Sequence, residues 1–361
     1  MIEIICKEEL YTYNIYHITK AFFAEEEILQ KVEPESENVF QISFSDGRKI
    51  CLPDGELELS SDRKLRKYAV DCWLYDEFKK MTGKTLSWGL LTGVRPTKIA
   101  MQKIEEGMDK DTFVQWFQDD SLVSEKKAVL AYEIAEREKE VLSPLDYKNG
   151  YSLYVGIPFC PSVCTYCSFS SGPLSYWKDH VDAYLDALCK EIEFIGEASE
   201  DKKLNTIYIG GGTPTTLDPK QLDRLLTCID QTFSRKDLLE FTVEAGRPDS
   251  ITKEKLEVLK AHNITRISIN PQTMQQKTLD LIGRKHTVEE VKTVFYMARE
   301  LGFDNINMDL IAGLPGERKE DMEDTLNQIK ELLPDSLTVH SLAIKRAAKM
   351  GQEKSTTGQV K

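Results

Sequence analysis

The 361-residue sequence contains no apolar run approaching the ~18 residues that a membrane span needs. Its opening, MIEIICKEEL, carries Glu3, Lys7, Glu8 and Glu9 where a secretion signal would be basic and then apolar. A cytoplasmic location is therefore expected. Basic charge is in deficit, with 47 Lys and Arg against 60 Asp and Glu and a net charge of −13. Generic attraction to nucleic acid or anionic lipid is thereby disfavoured, although a local basic pocket could still hold an anion. Cysteine is sparse: eight in a chain this long cannot form a secreted disulfide scaffold. The 20 glycines and 13 prolines follow no collagen-like period, and 41% hydrophobic residues exclude a globally disordered chain. The length suits one large or two ordinary domains.

Residues 1–148 mix strand-like runs with amphipathic helices and read as an α+β unit of unassigned role. Ile2–Cys6 and Val39–Phe44 have strand composition, and the turn Ser45-Asp46-Gly47-Arg48 folds the second back on Lys49–Leu52. Ser60-Ser61-Asp62 is a cap sequence for a helix expected to run to Gly83, and further helices are expected near Thr97–Glu106 and Ser124–Val141. Turn composition over Leu142 to Gly150 marks a domain boundary.

From residue 149 to 346 the pattern becomes six short apolar strands, each but the last followed by a helix. The strands are Leu153–Phe159, Thr206–Gly210, Phe241–Glu244, Arg266–Asn270, Ile306–Ile311 and Leu337–Leu342. Parallel neighbours need crossovers of this length, so the fold class is α/β, best read as a partial (β/α)6 barrel. A doubly wound open sheet is the alternative. Either architecture gathers ligands at the carboxyl ends of the strands. The remainder, 347–361, is poor in apolar residues and is expected as a loose tail, the chain ending where a sixth helix would begin.

What cysteine there is concentrates after the first of these strands, in Cys160-Pro-Ser-Val-Cys164-Thr-Tyr-Cys167. Structural zinc wants four ligands, and the nearest candidates, His180 and Cys189, lie on an expected helix. An iron–sulfur cube held by three cysteines leaves one iron open to a small molecule. Iron–sulfur is thus the favoured reading, with zinc and a packing or disulfide role as alternatives. The second strand ends in Gly210-Gly211-Gly212-Thr213-Pro214-Thr215, where a backbone without side chains can approach a ligand. It lacks the Lys-Ser/Thr of a phosphate loop and the third glycine of a dinucleotide fingerprint, and a tight turn is its plainer reading. Glu244 and Asp309 interrupt apolar strands, so each needs a partner: an internal ion pair with Arg247, Arg266 or Arg284, or a ligand. Gln272 and Arg284 complete a polar ring at the expected barrel mouth, the amide suited to a ribose hydroxyl and the guanidinium to a carboxylate. His17, His180, His262 and His340 have no evident partners.

Together these motifs, with Asn307-Met-Asp-Leu-Ile-Ala-Gly-Leu-Pro-Gly316, resemble radical S-adenosylmethionine enzymes of the oxygen-independent coproporphyrinogen III oxidase group. Leu91-Thr-Gly-Val-Arg-Pro-Thr-Lys98 and Val339-His-Ser-Leu-Ala-Ile-Lys-Arg346 look like that group's HemZ branch. The resemblance implies that Cys160, Cys164 and Cys167 bind a [4Fe-4S] cluster whose open iron takes S-adenosylmethionine. Tyr154 would lie beside that ligand, and Gly211, Gly212 and Thr213 would cradle its methionine end. Glu244, Gln272, Arg284, Asp309 and Ala343 match further contacts to the ribose, the adenine or a second cofactor molecule. The implied reaction is reductive cleavage of S-adenosylmethionine to a radical that takes hydrogen from propionates of coproporphyrinogen III, which lose carbon dioxide and become vinyl groups. A flavodoxin or ferredoxin would supply electrons, and Arg247, Lys285, Lys345 and Arg346 are candidate cations for the substrate carboxylates. Three departures stand out. Phe169 replaces a fourth cysteine, Gly156 replaces a histidine, and the group's C-terminal domain has no counterpart in this chain. The first of these is closer to the related heme chaperones, which makes heme binding the alternative.

Overall fold

The computed structural model describes residues 1–57, 60–345 and 347–352. The chain divides into two compact units, Met1–Ser143 and Pro144–Lys361.

In the first unit, strands β1 (Ile2–Cys6), β2 (Ile28–Val32), β3 (Asn38–Phe44) and β4 (Lys49–Pro53) form a sheet in the order β2-β1-β3-β4. The β3–β4 hairpin is antiparallel, with Ile42 opposite Ile50, and it turns through Gly47 at a positive φ of 87°. Helices α1 (Glu9–Phe22) and α2 (Arg63–Thr82) share a core with the sheet, built from Ile4, Phe40, Ile42, Ile15, Leu74 and Phe78. The Asp62 carboxylate accepts the Lys64 and Leu65 amides at the start of α2, and Gly83 ends it in the left-handed conformation. Helices α3 (Pro96–Glu105), α4 (Lys110–Ser121) and α5 (Glu125–Leu142) enclose a second core around Phe113, Phe117 and Ala131. The patterns of β2, α1 and α4 were not legible in the sequence. Strand β2 is an edge strand with little burial, and α1 is rich in Tyr and Ile, which favour strands.

The second unit opens with β5 (Gly150–Ile157), the short pair β6 (Phe159–Cys160) and β7 (Gly172–Pro173), and helices α6 (Leu174–Trp177) and α7 (Val181–Ala198). Next come β8 (Lys203–Gly211), α8 (Pro219–Thr232), β9 (Glu240–Gly246) and α9 (Lys253–Ala261). The unit continues through β10 (Arg266–Ile269), α10 (Gln276–Leu281), α11 (Val288–Glu300), β11 (Ile306–Ala312), α12 (Lys319–Leu332) and β12 (Ser336–Ser341). All six expected strands form, and they pair in parallel as β5-β8-β9-β10-β11-β12, a curled half-barrel whose outer strands are not joined to each other.

Alternation along these strands separates two faces. Val155, Ile207, Ile209, Val243, Ile267, Met308 and Leu310 pack with the helices in one apolar core. The opposite face is polar and knits itself together. Thr206 donates to Ser152 at 2.8 Å, Asn307 to Ser268 at 3.2 Å, and Ser336 to Asn307 at 2.9 Å. Ser268 and Asn307 are buried there, which is tolerable because each finds a partner.

Part of the expected tail is held in place: Ala348 is buried and the Met350 amide donates to the Thr165 carbonyl at 2.9 Å. Arg346 and residues 353–361 lie outside the described residues. Among the described residues no helix is long and apolar enough to cross a membrane.

Candidate active site

Cys160 ends β6, and Cys164 and Cys167 follow in the loop that leaves it. Cys160 and Cys164 are buried and Cys167 is half-buried, its thiol pushed above the ordinary range by burial. The loop is tied to the segment that follows α10 and to itself. Thr165 N donates to the Ile282 carbonyl at 3.0 Å, Ser162 Oγ to the Gly283 carbonyl at 3.3 Å, and Cys167 N to the Cys164 carbonyl at 3.1 Å.

The glycine run leaves β8 directly beneath this loop. Gly212 N donates to the Ile157 carbonyl and Thr213 N to the Phe159 carbonyl, both at 2.7 Å, and the Thr213 hydroxyl lies 3.6 Å from Cys160 Sγ. A Cβ on Gly212 would sit 2.6 Å from the Phe159 carbonyl oxygen and 3.0 Å from Cys160 Sγ, so only glycine lets the chain pass here.

Two guanidinium groups lie beside the loop. Arg284 donates to the Asn270 carbonyl at 2.6 Å and to the Gly246 carbonyl and Tyr166 hydroxyl at 3.3 Å, and its Nη1 is 3.9 Å from Cys164 Sγ. Its buried Nε has no partner. Arg247 forms a bidentate pair with Asp249 at 2.9 and 2.6 Å, and its Nη1 reaches the Ser162 carbonyl at 2.7 Å, Ser162 Oγ at 2.9 Å and Cys164 Sγ at 4.0 Å. Burial opposes ionisation of Asp249, yet the Arg247 bonds outweigh it and hold the carboxyl below its usual range.

On the polar face Glu244 accepts a hydrogen bond from the Tyr208 hydroxyl. Burial raises the Glu244 carboxyl above the ordinary range despite that bond, with Asp309 adding like-charge repulsion. The Tyr154 and Tyr208 rings stack at 5.9 Å and 12°. Asp309 accepts from Asn307 at 2.8 Å. Gln272 takes a left-handed backbone, φ 69°, and its main chain is clasped by β11: its N–H donates to the Asp309 carbonyl and its carbonyl accepts from Ile311 N, both at 2.9 Å.

Cys160, Cys164, Cys167, Gly211, Gly212, Thr213, Glu244, Gln272, Arg284, Asp309 and Ala343 all line one cavity of about 480 Å³ at the carboxyl ends of the strands. Tyr154 does not. It borders an adjoining cleft that shares Phe169, Gly211 and Glu244 with the cavity.

The internal ion pairs considered for Glu244 and Asp309 are not formed. Arg247 is committed to Asp249, Arg284 to backbone carbonyls, and Arg266 lies 3.7 Å from Glu240. Nor is Arg247 a free cation for substrate, being 3% exposed and paired. Lys285 is exposed and not part of the lining, Lys345 is part of it, and Arg346 lies outside the described residues. His262 does have partners, bridging Asp230 at 2.7 Å and Asp223 at 3.0 Å, and His17 packs against Tyr13 and Tyr16. Sequence reasoning passed over Tyr166, Tyr208, Asn270 and the buried His286. For Tyr208 the strand alternation that places it beside Glu244 was a usable signal.

The donor set suits a cluster rather than one ion. Structural zinc takes four protein ligands, and the lining of this cavity supplies three cysteines together with His340, Glu244 and Asp309, which are placed on other strands. Cys160, Cys164 and Cys167 line one cavity, and three thiolates without a fourth protein ligand suit an iron–sulfur cube with one iron left open.

Residues 154–329 match the radical SAM superfamily. The oxygen-independent coproporphyrinogen-III oxidase-like protein HemZ of Bacillus subtilis (strain 168) is 37% identical, over 94% of this chain and 72% of that protein. The chain belongs to the radical SAM superfamily, in the coproporphyrinogen oxidase-like group. Radical SAM proteins use a [4Fe-4S] cluster and S-adenosylmethionine, and these are its cofactors. The heme chaperone HemW of Bacillus subtilis (strain 168) is 40% identical over 54% of this chain and 50% of its own. In structure, coproporphyrinogen III oxidase HemN from Escherichia coli, a radical SAM enzyme, superposes with a TM-score of 0.53 and 31% identity over 61% of this chain and 50% of that one. The chain thus spans about half the length of these last two relatives.

Proposed function

We propose that this radical SAM site acts on a tetrapyrrole of heme biosynthesis, carrying out oxidative decarboxylation of coproporphyrinogen III propionates to the vinyl groups of protoporphyrinogen IX. The observation that carries the reading is the single cavity in which three cysteines meet Gly211, Gly212, Thr213, Glu244, Gln272, Arg284, Asp309 and Ala343. When bound, the cluster and S-adenosylmethionine supply one-electron chemistry able to take hydrogen from an unactivated carbon.

The chain's own residues bind, orient and exclude water. Cys160, Cys164 and Cys167 hold the cluster. The Gly211–Thr213 backbone cradles the methionine end of S-adenosylmethionine, and Arg284, with an unused buried N–H, is suited to its carboxylate. Glu244 and Gln272 serve its hydroxyls, with Asp309 and Ala343 at the adenine or at a second cofactor molecule. Tyr154 stands in the adjoining cleft as a wall between cofactor and substrate. Electrons come from a flavodoxin or ferredoxin, and an oxygen-sensitive centre with reduced thiols belongs in the cytoplasm.

A second reading, a heme carrier, is favoured by Phe169. It occupies the position where the decarboxylases carry another cysteine, and it is 75% exposed at the rim shared by cavity and cleft, offering an apolar face to a flat macrocycle. Anaerobic reconstitution followed by chromatography separates the two. Vinyl products with methionine release support the decarboxylase; stoichiometric heme binding without turnover supports the carrier.

A further inference from the structure

Two cations converge on one thiol, since both Arg247 Nη1 and Arg284 Nη1 lie within 4.0 Å of Cys164 Sγ. Arg284 is already assigned to cofactor binding, whereas Arg247 has no such role. Its side chain is fully committed: Asp249 occupies Nε and Nη2, leaving Nη1 to point at Ser162 and Cys164. A guanidinium stays protonated under all working conditions. At 3% exposure its charge is poorly screened by water or salt. The other ionisable groups facing this pair are Cys160, Arg284 and His286, the last buried and neutral.

Reduction adds an electron to a cluster, so a fixed cation against a ligating sulfur favours the reduced state and a nearby anion opposes it; charge and hydrogen bonding at the sulfurs are known levers on potential. We infer that Arg247 is a positioning residue that raises the reduction potential of the cluster through Cys164, and that Asp249 both aims it and limits the effect. The inference rests on the assignment of the three cysteines as cluster ligands.

The test is an EPR-monitored redox titration of the anaerobically reconstituted full chain, without S-adenosylmethionine, after iron and sulfide have been counted. Arg247→Gln shifts the midpoint to more negative potential at unchanged iron content, and Arg247→Lys, which keeps a point charge, falls between it and the unsubstituted protein. Asp249→Asn shifts it the opposite way, because it removes the opposing anion. A merely structural contact would not give opposite signs. Should Arg247→Gln fail to load iron, Asp249→Asn carries the sign test alone: a positive shift supports the inference and an unmoved midpoint overturns it. Iron-loaded variants that leave the midpoint unchanged, or move it in the same sense, also overturn it while leaving the cysteine assignment intact. Absence of iron from the unsubstituted protein overturns that assignment and this inference together.

Discussion

The first unit buries hydrocarbon and aromatic side chains, with Thr19, Asp71 and Ser121 as the buried polar residues among those described, whereas the second buries Arg247, Arg284, His286, Asn270, Gln272 and a series of Ser and Thr. Both are built on a sheet with helices, so the difference is not one of fold class. A core whose only task is stability has no use for polar groups that must be desolvated and then partnered. Where they accumulate, and especially where Arg284 keeps an unpartnered buried Nε, the arrangement marks a candidate ligand site rather than a core built for stability alone.

The contrast can be broken most severely at the cysteines. Cys164→Ala should drop iron from about four per chain to a small residue and abolish S-adenosylmethionine cleavage, while circular dichroism keeps its native form; retained iron would remove the second unit's special status. Next comes His286, whose burial, reinforced by Arg284, pushes the imidazole down to about 3. Its folded value lies below its unfolded value, so the stability it contributes is present above pH 6.5 and is lost as pH falls towards 3. The full loss is on the order of 5 kcal/mol. Urea unfolding of the apoprotein against pH should show the slope, and His286→Phe should flatten it.

In the first unit Phe113 is fully buried, so Phe113→Ala should cost about 3–5 kcal/mol. Iron loading measured on the folded fraction should not change, and a parallel loss of iron would mean that the two units are less independent in function than their cores suggest. The smallest effect is expected at Glu244. Its raised carboxyl means that its contribution to stability is greatest at acid pH and declines as pH rises through the shifted value. Glu244→Gln should therefore make the apoprotein slightly more stable at neutral pH and bind S-adenosylmethionine less tightly. Calorimetry and equilibrium dialysis should move in opposite directions, and a loss of both would place Glu244 with the structural residues.

Much of the second unit was legible because its signals are local. Alternating strands and helices fixed the sheet, and the cysteine spacing and glycine run are contiguous words. The expected ring of polar residues came together because strand ends in a parallel sheet share one rim. What the sequence could not reveal were pairings across the fold. Asp249 stands two residues from Arg247, but nothing nearby in sequence says that the guanidinium also reaches Ser162, 85 residues away, and so it was misread as a free cation. The burial of His286 likewise depends on packing from other elements. In the first unit the Tyr- and Ile-rich α1 carries side chains that suit either a helix or a strand, and tertiary packing decided.

Gln272 holds a backbone that glycine would adopt at no penalty and that a side chain occupies only at about 1 kcal/mol. The two main-chain bonds to β11 keep it there. The main chain that carries the Gln272 side chain is therefore set before any ligand arrives, tied through one rung to the strand that carries Asp309. Little backbone freedom at that point remains to be frozen on docking, and a glycine substitution would relax the chain yet remove the side chain proposed to meet a ligand hydroxyl.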